Sequence, residues 1–236
     1  MITLSTTSSR TVTRRALLGG IAGLALAGLA ACTRPPSSTA SPTPGSVMPA
    51  PFTGSRVLVA YFSRTGENYW NGGRRELDTG NTEVLTGLIS DRIDCDVYRI
   101  EAAEPYSDRY DPTVARNTAE QDDDARPAIA GALPDLSVYN TVLVGSSLWN
   151  VQPPMIMATF VQAVDLTGIP IHPFVTYAVS GLGSTADFYR DLNTGADLRD
   201  GLAIRGEELR DAGADVDQWL LAAGLVERQT SRPILN

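Results

Sequence analysis

Ser63-Arg64-Thr65-Gly66-Glu67-Asn68 sets two hydroxyls, a guanidinium, a glycine and a carboxamide in six consecutive positions. They directly follow an apolar run, Arg56 to Phe62, and precede a helical pattern. That placement suits an anion. Ser63 and Thr65 can each donate a hydroxyl proton to a phosphate oxygen. Gly66 permits a close backbone approach and a positive φ. The start of a following helix offers unpaired N–H groups and partial positive charge. The loop is neither G-x-x-x-x-G-K nor G-x-G-x-x-G, so nucleoside triphosphates and dinucleotides lose support.

Other reactive side chains are poorly placed for chemistry. His172 is the only histidine, which excludes a site needing two. It lies in an apolar strand before Pro173 and reads as structural. No G-x-S-x-G elbow exists, so a hydrolytic triad has no nucleophile–base pair. Asp122-Asp123-Asp124 point in different directions and read as a solvated face. Cys95 reads as a small buried core residue.

The elements that must position the loop alternate. Strands are expected at Arg56 to Phe62, Asp96 to Ile100, Thr141 to Ser146, Ile169 to Thr176 and Leu198 to Ile204. Helices are expected at Thr82 to Ile89, Met155 to Val164 (just after Pro153-Pro154), Thr185 to Leu192 and around Val216 to Leu221, ending near Gly224. The first and third strands are apolar on both faces, as in a buried parallel sheet. The alternation implies an α/β fold, a doubly wound five-stranded parallel sheet with helices on both faces. Ligands of such sheets bind beyond the carboxyl ends of the strands. The loops after the first, third and fourth strands are therefore the place for a site.

Composition is globular, with 43% hydrophobic and 19% charged residues in 236. All 19 cationic side chains are arginine and the formal net charge is −8, which argues against nucleic acid as a partner. The N-terminal end reads as an address. Arg10, Arg14 and Arg15 precede a short apolar run, Ala16 to Ala31, too short for a comfortable bilayer span. Arg14-Arg15 resembles a twin-arginine signal, and Leu29-Ala30-Ala31-Cys32 resembles a lipobox with Cys32 as the lipidated residue. Residues 1–31 are expected to be a signal peptide and 32–55 a Pro/Ser/Thr-rich tether behind the lipidated cysteine. Residues 56–236 form the folded domain. The expected location is the outer face of the cytoplasmic membrane, held by the lipid anchor alone.

Tyr61-Phe62-Ser63-Arg64-Thr65-Gly66 at the end of the first strand resembles the flavodoxin-like family, whose phosphate loop has the form S-x-T-G-N-T. Here an extra stretch, Tyr69 to Gly80, intervenes before Asn81-Thr82 restores the N-T at the helix start. The pattern is similar to a bacterial subfamily with an insertion inside the phosphate loop. Val142 to Trp149 with Pro153-Pro154, Pro173 to Thr176, Ser180 to Gly183 and Gly201 to Ala203 resemble later family segments in order. The resemblance implies FMN as cofactor. It puts Ser63, Thr65, Gly66, Asn81 and Thr82 on the phosphate, with Arg64 and Asn68 assisting. It puts two loops around the flavin ring: Ser147, Leu148, Trp149 and Asn150, and Tyr177, Ser180, Gly181 and Gly183. No residue need be a catalytic acid or base.

The implied function is an FMN-binding redox protein of the cell envelope. Electron carrier and flavin-dependent reductase both fit, with a redox protein or a small acceptor such as a quinone as partner. Asn150, Val151, Ala178 and Val179 stand where the family tends to differ. They support a second reading, a flavodoxin-like binding module without FMN.

Overall fold

A computed structural model describes residues 56–192 and 194–227. The expected signal peptide, the expected lipidation site Cys32 and the expected tether lie outside the described residues.

The strands and helices follow the hydrophobic pattern closely. In chain order they are β1 (Val57–Tyr61), β2 (Gly66–Trp70), β3 (Gly73–Leu77), α1 (Asn81–Ser90), β4 (Cys95–Arg99) and α2 (Tyr110–Asp122). Then come β5 (Thr141–Ser147), α3 (Met155–Ala163), β6 (Pro170–Tyr177), α4 (Thr185–Asp191), β7 (Asp197–Leu198), β8 (Leu202–Arg205) and α5 (Gly213–Ala222). The main sheet is parallel, in the order β4-β1-β5-β6-β7, with β8 also paired to β6. Val59 in the centre lies level with Val97 on one side and Leu143 on the other.

The five expected strand positions are all present. The fifth is shared by two short strands, because the ladder against β6 stops opposite His172 and Pro173. Proline has no N–H to give to a ladder.

Each face of the sheet is covered. Val57, Val59, Leu143 and Phe174 pack against Leu85 and Ile89 of α1 and Val216 and Leu220 of α5. Leu58, Ala60, Val142 and Ile171 pack against Ile156, Met157 and Phe160 of α3 and Tyr189 of α4. Each fully buried aliphatic or aromatic side chain contributes about 1.5–3 kcal/mol over leaving it in water. Cys95 is half-buried against the first of these clusters, and burial pushes its thiol pKa up. His172 is buried on β6, edge-on to Trp219. Asp122, Asp123 and Asp124 are exposed.

Two elements have no counterpart in the hydrophobic pattern. The extra stretch after the first strand is an antiparallel hairpin, β2–β3, turning at Asn71-Gly72 with φ of 46° and 82°. Both central residues in the left-handed region make the turn that matches strand twist, and Asn-Gly is its preferred pair. Helix α2 buries Thr113, Asn117 and Glu120, all polar, so apolar periodicity is silent there.

Candidate functional site

A cavity of about 570 Å³ opens beyond the carboxyl ends of β1, β5 and β6. Of the residues expected at a cofactor, Ser63, Arg64, Asn68, Asn81, Thr82, Ser147, Leu148, Trp149, Asn150, Tyr177 and Ser180 line it together. The parallel sheet explains why: the loop after β1, the start of α1 and the two loops after β5 and β6 all emerge at one edge.

At one end, α1 begins at Asn81 after Gly80, which has no side chain to cap the helix. Ser63 supplies the cap from a distance, its Oγ accepting the Glu83 N–H at 3.2 Å. A Cβ on Gly80 would lie 2.3 Å from Ser63 Oγ and 2.5 Å from the Arg64 carbonyl oxygen, so only glycine lets this loop close on the helix. The amides of Asn81 and Thr82 find no acceptor among the described residues. The Thr82 hydroxyl is buried at 3.0 Å from that of Thr176, tying the helix start to the end of β6. Two free first-turn amides, a neighbouring hydroxyl and a helix dipole form a donor set for a phosphate.

Arg64 has other duties. Its guanidinium donates to the carbonyls of Ser107, at 3.0 Å, and Glu67, while its Nε is buried without a partner. Burial lowers its pKa, opposed by Glu76, Asp108 and Glu67. Asn68 donates to the Gly66 carbonyl at 2.9 Å. Thr65 is exposed, and neither it nor Gly66 lines the cavity. Gly66 does have a positive φ, 81°, but a Cβ there would strike the Asp108 backbone at 2.4 Å. The closeness it permits is between the hairpin and the segment before α2. The glycine that packs against Ser63 is Gly80.

At the other end, Trp149 is half-buried and edge-on to Phe62 and Tyr106, with centroids 5.6 and 5.0 Å away. Beneath it, the Tyr106 hydroxyl donates to Glu120 at 2.8 Å, and Arg116 lies 3.9 Å over the Tyr106 ring. Burial and the Glu120 carboxylate raise the Tyr106 pKa strongly. Trp149 N–H bonds the Gln152 carbonyl at 2.8 Å, closing a turn in which Asn150 and Val151 have φ of 53° and 64°. A β-branched residue in the left-handed region is strained, by about 1–3 kcal/mol. The surroundings hold the turn from two sides. Gln121 donates to the Trp149 carbonyl and accepts from Asn150, and the Ser184 amide donates to the Val151 carbonyl at 2.8 Å. Gly183 and Gly181, at φ 52° and 58°, sit outside the cavity lining. Gly183 lets its loop reach the turn, since a Cβ there would lie 2.1 Å from the Val151 oxygen.

Sequence reasoning missed one wall entirely. Tyr110, Thr113, Val114, Asn117 and Thr118 of α2 line the cavity at helical spacing. It also missed Thr176, Gly206 and Glu207. A Cβ on Gly206 would lie 2.2 Å from the Asn81 Nδ2, so the segment after β8 presses on the start of α1. The Asn-Gly pair and the i, i+4, i+7 row of Thr113, Asn117 and Glu120 were the available signals. Among the described residues, no cluster could hold a metal ion.

The family model that matches this chain describes flavodoxins and covers residues 56–221. Among solved structures, a Bacteroides eggerthii protein classed provisionally as a flavoprotein aligns with TM-score 0.60 at 24% identity. The alignment covers 73% of this chain and 100% of that one. A Bacteroides uniformis protein of the same class gives 0.58 at 26% identity, over 71% and 99%. A flavoprotein from Lactobacillus acidophilus, solved in complex with FMN, gives 0.52 at 15% identity, over 70% and 99%. No curated protein matches the chain.

Proposed function

We propose that this chain, which belongs to the flavodoxin family, binds one FMN in the cavity at the carboxyl edge of its sheet and serves as a redox protein of the cell envelope. One observation carries the reading. The phosphate-type donor set at Ser63, Asn81 and Thr82 and the two loops expected at a flavin ring line the same cavity. A structural relative solved with FMN adds support.

FMN, when bound, supplies the electron or hydride transfer. The chain's residues bind and orient it. The amides of Asn81 and Thr82 and the Ser63 hydroxyl hold the phosphate. Trp149, the Asn150-Val151 turn and Tyr177 to Ser180 would hold the ring. The α2 wall, uncharged along Tyr110, Thr113, Val114, Asn117 and Thr118, shields it from water. The net charge of −8 disfavours an anionic reduced flavin and lowers the potential.

Twin-arginine export and lipidation at Cys32 belong to the same proposal. FMN is acquired inside the cell, and a folded, loaded domain is then exported and anchored. Electron carrier and reductase of a small acceptor such as a quinone both accord with the site. Titrating the purified chain with FMN tests the binding. Saturable quenching of flavin fluorescence at one FMN per chain is expected, and no quenching overturns the reading. Changing Arg14 and Arg15 to lysine is expected to stop export of the loaded protein. Unchanged export removes that link.

A further inference from the structure

The hairpin β2–β3 touches two walls of the cavity. On the α2 side, the Glu67 carboxylate accepts the Tyr110 N–H at 2.9 Å, and Arg74 pairs with Asp111 at 2.5 Å and lies 4.6 Å over the Tyr110 ring. On the other side, the tip of the hairpin donates the Asn71 N–H to Glu207 at 2.7 Å. Glu207 lines the cavity with a nearly buried side chain, and its other oxygen lies 3.3 Å from Arg205. The segment bearing it is the one that presses on Asn81 at the start of α1. Asn68 and Tyr69, on the strand between these anchors, also line the cavity. The hairpin therefore runs from α2 to the loop after β8, the segment that presses on the start of α1.

We propose that the hairpin is a strap, latched by Glu207 on Asn71, that closes the phosphate end of the cavity. It selects a cofactor ending in a single phosphate, FMN over FAD. The inference rests on the FMN reading above. A second phosphate extending past α1 meets the strap, so exclusion is steric. Release of FMN requires the Asn71–Glu207 bond to open.

The test uses the full chain, with FMN and FAD titrations by flavin fluorescence, stopped-flow release of FMN and thermal melts. The wild type binds FMN more tightly than FAD. Glu207→Ala releases FMN about tenfold faster and narrows the FMN/FAD ratio, as loss of one charged hydrogen bond allows. Glu207→Gln keeps an acceptor for the Asn71 N–H and stays near the wild-type release rate. Asn71→Pro removes the donor and cannot adopt φ 46°. It reproduces Glu207→Ala, while Asn71→Gly does not. A folded Glu207→Ala or Asn71→Pro protein with wild-type release and discrimination overturns the strap, as does a wild type indifferent between FMN and FAD. A wild type that binds neither flavin overturns the FMN reading itself.

Discussion

Gly80 is the residue on which the proposed phosphate end of the cavity turns. Nothing larger fits between Ser63 Oγ and the Arg64 carbonyl. Gly80→Ala is expected to weaken FMN binding at least about tenfold and to cost about 1–3 kcal/mol of stability, as overpacking does. Flavin titration and denaturant melts check both; an alanine variant with unchanged affinity contradicts the geometry. Val151 offers the opposite case. It is 55% exposed and held at φ 64°, so its side chain contributes little burial against the strain. Val151→Gly is expected to leave the melting point unchanged or raise it, since relief of strain outweighs the extra freedom of the unfolded chain. Sequence alone located the loops but not these duties. Gly66 and Gly80 flank the same hairpin, and only the fold shows which one faces Ser63 and which faces Asp108.

The elements divide by how they bury themselves. Strands β1 and β5 and helices α1 and α3 bury apolar side chains, and the sequence places them within a residue or two. The hairpin and α2 are held by polar contacts: Glu67 with Tyr110, Arg74 with Asp111, and Tyr106 and Arg116 with Glu120. Such pairings depend on distant partners and leave no period in the sequence. These two elements also supply seven of the 23 residues that line the cavity, so the least legible elements are among those that shape the site. Tyr106→Phe leaves Glu120, 8% exposed, short of one donor, and is expected to cost about 1–3 kcal/mol in a chemical melt. A variant as stable as the wild type contradicts that role.

The whole molecule adds a pH dependence far from the cavity. Burial lowers the His172 pKa below its ordinary 6.5, aided by Arg199 and opposed by Asp197 and Asp200. The folded state then binds this proton less readily than the unfolded chain. Stability is full above the unfolded pKa and falls as pH drops below it. Thermal melts from about pH 7.5 to about pH 5 should show a smaller decline for His172→Phe than for the wild type. Equal slopes contradict that account. The parallel sheet and its two-sided packing were readable because a doubly wound sheet repeats one simple pattern. The break between β7 and β8 was not, since Pro173 acts on a neighbouring strand rather than its own.

The central claim is that this cavity holds FMN. The most direct test is the visible absorption spectrum of the full chain purified from cytoplasm, with the released chromophore identified. The account predicts a yellow protein that releases FMN. A colourless protein that leaves the fluorescence of added FMN unquenched contradicts it.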